Sequence, residues 1–168
     1  VTVNTNPTAS ISGGTSVCLG SSVTMTASGG VSYLWNTGAT TAAITVAPTV
    51  NTTYTVTVTN ITGCTATATR TITINALPTP TVTGTNTICS GQSTTLTAAG
   101  GTSYLWSTAA TTAAITVSPT TTTTYTVTVT AANGCTATAT RTVTVNPKPT
   151  VSYTGSSVIC IGDNTTLS

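Results

Sequence analysis

The chain has 168 residues, of which 52 are threonine, three are basic, one is acidic and none is histidine or phenylalanine. A net charge of +2 on three separate side chains offers no electrostatic surface for nucleic acid or anionic lipid. Asp163 is the single acidic side chain, so no general acid–base pair and no carboxylate-rich calcium site can form within a unit. We therefore predict no catalytic residues, no metal, no cofactor and, without a long apolar run, no membrane span.

A unit of 71 residues is repeated along the chain. Shifting the sequence by 71 positions gives 57 identities in 97 compared pairs and superimposes Trp35 on Trp106 and Arg70 on Arg141. A period of this size indicates an array of similar domains. We predict the end of a preceding repeat at 1–7, complete repeats at 8–78 and 79–149, and the start of a further repeat at 150–168. We expect the chain to be a segment of a longer array.

Alternating apolar and polar residues predict short β-strands throughout each repeat. Threonine and valine favour the pleated, half-buried surface of a sheet. Asn133-Gly134 predicts a tight hairpin turn between the last two strands, because this pair tolerates a positive φ. Six or seven such strands with regularly spaced turns predict an all-β, immunoglobulin-like sandwich for each repeat. In the second repeat the predicted strands are 81–84, 93–99, 103–107, 112–118, 121–130 and 136–146.

The last two strands of each repeat place threonine at every second position, which predicts a two-column hydroxyl face. Such arrays resemble ice-binding surfaces, whereas the twist of a sandwich sheet opposes a flat lattice match. Cross-strand threonine pairs also have a plain structural use. Ice binding is therefore a lesser alternative. In the first repeat the columns are Thr53, Thr55, Thr57 and Thr59 against Thr65, Thr67, Thr69, Thr71 and Thr73.

Each complete repeat contains two cysteines, without the C-x-x-C spacing of a metal site. Paired cysteines in a small domain indicate disulfides and an oxidising, extracellular compartment. We predict the pairs Cys18 with Cys64 and Cys89 with Cys135, each joining the turn before the second strand to the tip of the last hairpin. Closing such a loop contributes about 4 kcal/mol in the chain-entropy model. Cys160 is expected to pair outside the chain.

Two further groups of side chains have alternative interpretations. Arg70 shares the parity of core-facing residues, as does its counterpart in the second repeat, which predicts a rim arginine covering Trp35 or Tyr54. The alternative is an arginine that binds a partner's carboxylate. An exposed strip of Tyr33, Leu34 and Trp35 would predict glycan binding. One parity of that strip must enter the core, however, and tryptophan usually does.

Prolines stand at both junctions between repeats, at Pro78 and Pro80 and again at Pro147 and Pro149. Proline fixes φ and favours an extended chain, so short proline-containing joints predict a semi-rigid rod of domains. Near-neutral repeats with uncharged edge strands also allow lateral association of neighbouring copies into a fibre.

Four segments of the second repeat carry a resemblance: 88–93, 101–107, 124–130 and 133–136. They resemble the tandem Ig-like and PKD-like repeats of large surface and secreted proteins of Bacteroidetes. The resemblance covers essentially the whole chain and implies an extracellular spacer or adhesin stalk exported by the type IX route. The WDFGDG-type motif of PKD domains is absent, and Trp106-Ser107-Thr108-Ala109-Ala110 stands in its place, so the likeness is to the Ig-like class.

These observations together predict a structural repeat segment of an extracellular bacterial surface fibre, filament or adhesin stalk. Its expected partners are neighbouring copies of the same chain. The alternative is an adhesive module that binds glycans or cells. A lesser alternative, beside ice binding, is a spacer within a secreted enzyme.

Overall fold

Every regular element in the described part of the protein is a β-strand, as the threonine and valine alternation predicts. The structure is a computed structural model that describes residues 3–152, Thr154 and residues 160–162. No helix that could cross a membrane occurs among these residues. The all-β prediction is confirmed.

Seven strands form the first repeat, and they lie in two sheets. The order is β1-β3-β5 in a three-stranded sheet and β2-β7-β6-β4 in a four-stranded sheet. All neighbours are antiparallel except β2 and β7, which are parallel. The strands are β1 (Ser10–Gly13), β2 (Ser16–Cys18), β3 (Val23–Ser28), β4 (Ser32–Trp35), β5 (Ala43–Val46), β6 (Thr52–Thr59) and β7 (Thr65–Asn75).

The second repeat has the same architecture. Its sheets are β8-β10-β12 and β9-β14-β13-β11, again with one parallel pair, β9 with β14. The strands are β8 (Thr81–Thr83), β9 (Thr87–Cys89), β10 (Thr94–Ala99), β11 (Ser103–Trp106), β12 (Ala114–Val117), β13 (Thr123–Thr130) and β14 (Thr136–Asn146).

The predicted strands of the second repeat agree with β8 and β10–β14, with ends shorter by up to two residues. The hairpin at Asn133-Gly134 is also present, with Gly134 at a φ of 82°. What the pattern missed is β9, and its counterpart β2, because three residues are too few to show an alternation. Both lie along the carboxyl-terminal end of the longest strand of their repeat.

Each repeat has its own hydrophobic core, formed between its two sheets. In the first repeat Met25 from the three-stranded sheet and Trp35 from the four-stranded sheet are both buried. The Trp35 indole donates a hydrogen bond to the Thr41 carbonyl at 2.9 Å. Leu34, one position earlier, is 54% exposed, and Leu105 is 53% exposed. The prediction that tryptophan takes the inward parity of this strand is confirmed.

The linker 76–80 packs against the turn that follows β10. Gly100 has a φ of 103°, and a Cβ there would overlap the carbonyl oxygen of Thr79. Gly29 has the same relation to Thr8, with a φ of 107°. Only glycine permits this close approach of two backbones. The linker is thus seated on the second sandwich before it enters β8.

Candidate functional site: the joint between the repeats

A disulfide between Cys18 and Cys135 joins the two sandwiches across a sequence separation of 117 residues, with a Cα–Cα distance of 5.7 Å. Cys18 ends β2 and lies beside Asn75, the last residue of β7. Cys135 immediately precedes β14, in the turn after β13. The bond therefore ties the carboxyl-terminal end of the first sandwich to a hairpin of the second.

Hydrogen bonds surround this disulfide and hold the linker to the same hairpin. The side chain of Asn133 donates to the Ala76 carbonyl at 3.0 Å and accepts from the Cys135 amide at 3.0 Å. On the other side, the Leu19 amide donates to the Asn75 carbonyl at 2.9 Å. Cys135 is only 1% exposed. A disulfide and hydrogen bonds to the linker therefore hold the joint.

The predicted pairs Cys18–Cys64 and Cys89–Cys135 are therefore wrong. Cys89 lies beside Asn146, the last residue of β14, whereas Cys135 precedes the first. The 11 residues of β14 span roughly 35 Å at the rise of a strand. A disulfide requires Cα atoms within about 7 Å. The two cysteines of one repeat lie at opposite ends of the sandwich, so they cannot form a disulfide with each other.

We expect a non-reducing peptide map of the purified monomer, before any oxidant is added, to contain one disulfide, Cys18–Cys135. Cys64, Cys89 and Cys160 have no disulfide partner among the described residues and should alkylate without reduction. Unfolding in denaturant before alkylation, with the disulfide intact, serves as the control for buried thiols. A peptide linking Cys18 to Cys64 would contradict the geometry of the joint.

The arginines connect the two sheets of each sandwich. Arg70 on β7 donates to the Ile11 carbonyl on β1 at 2.8 Å, and Arg141 on β14 donates to the Gly84 carbonyl after β8 at 2.7 Å. Both are half-buried. The register places Arg70 opposite Tyr54, one of the two aromatic residues that it is predicted to cover. Each guanidinium is engaged within its own sandwich, which gives no support to the alternative of a partner's carboxylate.

The two-column threonine face is present in both repeats, and its two strands run antiparallel as predicted. The hydroxyls of Thr53 and Thr71 are 2.8 Å apart, as are those of Thr124 and Thr142. Hydroxyls that bond across strands stabilise the sheet itself. Thr55, Thr57 and Thr59 are half-buried. The face is polar and uncharged, and part of its hydrogen-bonding capacity is used internally.

The rest of the described surface exposes few side chains of the kinds that bind small ligands. Trp35 and Trp106 are each 2% exposed, and every other described aromatic side chain is buried or half-buried. The exposed strip proposed for glycan stacking is therefore reduced to Leu34 and its counterpart Leu105. The described residues contain no group of three potential metal ligands. A cavity of about 610 Å³ opens beside Cys89 and Asn146.

No family model and no curated protein sequence matches the chain. Among solved structures it is similar to murine CEACAM1b at 12% identity and a TM-score of 0.39, over 84% of this chain and 100% of that chain. It is similar to a Ca2+-stabilised adhesin that helps an Antarctic bacterium bind ice, at 19% identity and a TM-score of 0.49, over 90% of this chain and 51% of that chain.

A third similar structure is Bacteroides ovatus SGBP-B of the mixed-linkage glucan utilization locus, in complex with a heptasaccharide. Its identity is 16% and its TM-score 0.27, over 97% of this chain and 51% of that chain. This chain thus spans about half the length of SGBP-B and of the Antarctic adhesin. All three TM-scores are below 0.5, so these likenesses carry no argument about what the chain binds. The resemblance to Bacteroidetes repeats stays a prediction.

Proposed function

We propose that the chain is a structural segment of an extracellular bacterial fibre or adhesin stalk, in which consecutive domains are held in fixed order and orientation. The observation that carries this proposal is the Cys18–Cys135 disulfide across the joint. A disulfide is stable in an oxidising compartment, which supports an extracellular location. A bond placed between domains, and not within one, adds stiffness to an array.

The joint holds the second sandwich at two places. The linker enters through β8, in the three-stranded sheet, and the disulfide enters at the start of β14, in the four-stranded sheet. A single tether would let one domain swivel about the other, whereas attachments to both sheets oppose rotation. The Asn133–Ala76 hydrogen bond adds a third restraint. These restraints favour a rod over a flexible string of domains.

The surface suits the same role. The outer strands of the first repeat, β1, β2, β4 and β5, contain no charged residue. Edge strands without charged side chains are open to pairing with another chain. We include lateral association of neighbouring copies in the proposal. Imaging of native cell-surface material should show filaments with an axial repeat on the order of 40 Å, the length of one sandwich and its linker.

Small-angle scattering compares the joint with and without its disulfide. We expect the oxidised chain to scatter as a rod with a maximum dimension on the order of 80 Å, since two strand-length domains lie end to end. Reduction should broaden the distance distribution, because only the linker and the Asn133–Ala76 hydrogen bond then hold the second sandwich. A Cys64→Ser, Cys89→Ser variant should behave as the parent. A flexible pair of domains under oxidising conditions would argue against the rod.

Ice binding is the second candidate function, because the two-column threonine face is present in both repeats. The hydroxyl pairs within the face count against it. Thermal hysteresis measured on the oxidised chain separates the two functions: we expect none. A glycan array should also be negative, because the tryptophans are buried in the core. The spacer of a secreted enzyme stays a further alternative.

A further inference from the structure

The end of the second sandwich that holds Cys89 and Asn146 has the same backbone geometry as the first sandwich has at the joint. Cys89 ends β9 beside Asn146, as Cys18 ends β2 beside Asn75. In both places the amide of the next residue donates to the asparagine carbonyl at 2.9 Å. The backbone that presents Cys18 to its partner is therefore already formed around Cys89.

The hairpin of the first repeat likewise repeats the other side of the joint. The sulfur of Cys64 lies 4.0 Å from the Asn4 carbonyl oxygen, and the sulfur of Cys135 lies 4.0 Å from the Asn75 carbonyl oxygen. Asn4 and Asn75 are equivalent positions in the 71-residue period. Cys64 thus already lies against a segment equivalent to that of Asn75, the residue beside which Cys18 stands in the bonded joint.

An asparagine also secures this hairpin in both repeats, from two different positions. Asn60 donates to the Thr5 carbonyl at 2.8 Å, and Asn133 donates to the equivalent Ala76 carbonyl at 3.0 Å. Asn60 aligns with an alanine in the second repeat, so the two repeats make the same contact from different positions in the turn. Two solutions to one contact indicate that docking of the hairpin on the linker is a requirement of the joint.

Each unbonded cysteine is more exposed than its bonded counterpart, and Cys18, the counterpart of Cys89, is half-buried. Cys135 is 1% exposed beneath the joint, whereas Cys64 is half-buried and Cys89 is exposed. The 610 Å³ cavity is lined by Cys89, Gln92 and Asn146, among others, at the end of the second sandwich. On the first sandwich, the cysteine at the same position bonds to the hairpin of the next repeat.

We propose that Cys89 and Cys64 are the two complementary halves of this joint, and that each forms a disulfide with a further copy of the repeat. Cys89 takes the hairpin cysteine of one copy, and Cys64 takes the β2-type cysteine of another. The partner copy belongs either to the same polypeptide or to a second chain. This inference concerns only the disulfides between copies of the repeat. If other contacts held the copies in a rod, the proposed function would still stand.

The bond forms by thiol–disulfide exchange with a low-molecular-weight disulfide as the oxidant. The Cys89 thiolate attacks the oxidant and releases one thiolate, leaving a mixed disulfide. The hairpin thiolate then attacks the Cys89 sulfur, forms the protein disulfide and releases the second thiolate. Two protein thiols are oxidised, and one oxidant disulfide is reduced to two thiols.

Cross-links of this kind interleave along an array. Cys89 lies between Cys18 and Cys135 in sequence, so the loop that begins at Cys89 overlaps the loop already closed. Each backbone bond beyond Cys18 then lies inside at least one disulfide loop. A single cut by a protease would leave both pieces covalently joined, which suits a fibre outside the cell.

The test uses the whole chain lengthened by a second copy of residues 98–149 after Ser168. This addition completes a third repeat and supplies a further copy of Cys135. After oxidation with glutathione disulfide, we expect peptide mapping to find Cys89 bonded to the added cysteine, beside Cys18–Cys135. A bond between Cys89 and Cys64 of a second molecule also supports the proposal and identifies the partner as a separate chain.

Three outcomes overturn the proposal: a free Cys89, a Cys89–Cys89 dimer, or a Cys89–Cys135 bond within one repeat. Tryptophan fluorescence of the lengthened chain establishes that all three repeats are folded when the thiols are counted. A Cys89→Ser variant of the lengthened chain is the matched control, and only the added cysteine should become free in it. After a single cleavage between the repeats, the fragments should migrate together on a non-reducing gel. They should separate on a reducing gel.

Discussion

Stretched between residues 1 and 168, the oxidised chain should lengthen only by the residues outside the Cys18–Cys135 loop, even after both sandwiches unfold. The disulfide closes a separation of 117 residues, and reducing it adds all of them to the extensible chain. At roughly 3.4 Å per residue, the gain in contour length is about 400 Å. The effect is large because this one disulfide prevents most of the chain from extending.

The expectation follows from the path that the load takes. Force entering at the amino terminus passes along β1 and β2, crosses the disulfide and continues along β14. These segments are strands and are already near full extension. The hydrogen bonds between sheets and the hydrophobic cores lie mostly off this path. The joint therefore places tension on covalent bonds in extended chain.

Single-molecule force spectroscopy with and without reductant measures the gain. A Cys18→Ser, Cys135→Ser variant should give the long extension under both conditions, and a Cys64→Ser, Cys89→Ser variant should match the parent. Full extension of the oxidised parent would show that the force does not pass through the Cys18–Cys135 disulfide. A gain released in two equal steps would indicate instead one disulfide within each repeat.

Replacing Trp106 with alanine should remove a large part of the stability of the second repeat, so that it unfolds at lower denaturant concentration, and leave the stability of the first repeat unchanged. Removing a buried tryptophan costs about 3–5 kcal/mol, and a domain of this size has a total stability of roughly 4–11 kcal/mol. Trp106 is 2% exposed and its indole donates to the Thr112 carbonyl at 3.0 Å, so a cavity and an unpaired carbonyl remain. The two cores share no residue, which confines the damage.

The neighbouring Leu105→Ala is the matched control, because Leu105 is 53% exposed on the outer face. Its cost should stay within about 0.5 kcal/mol. Circular dichroism reports the loss of the second sandwich. In the Trp106→Ala variant the single remaining tryptophan, Trp35, reports on the first repeat alone. Loss of the Trp35 signal together with the second sandwich would show that the repeats fold as one unit.

Local pattern was sufficient to predict most of the fold. Alternation along 136–146 predicted β14 to the residue, and the same parity placed Trp106 inward and Leu105 outward. The antiparallel threonine columns of the second repeat followed from a two-residue period joined by an Asn-Gly turn. These features depend on neighbours a few residues apart, and in a strand adjacent residues necessarily face opposite sides.

The joint was beyond the reach of that pattern. Three residues of β2 or β9 carry no period, yet their parallel pairing decides which end of the sandwich holds Cys18 or Cys89. The acceptors of Arg70 and Arg141 lie 59 and 57 residues away, on the opposite sheet.

The sequence alone determined that this chain contains similar β-rich repeats with two cysteines in each complete repeat. Only the tertiary structure decided that the disulfide joins one domain to the next. The reason is physical: a disulfide forms between Cα atoms within about 7 Å, and spacing along the chain does not report distance across a strand of roughly 35 Å.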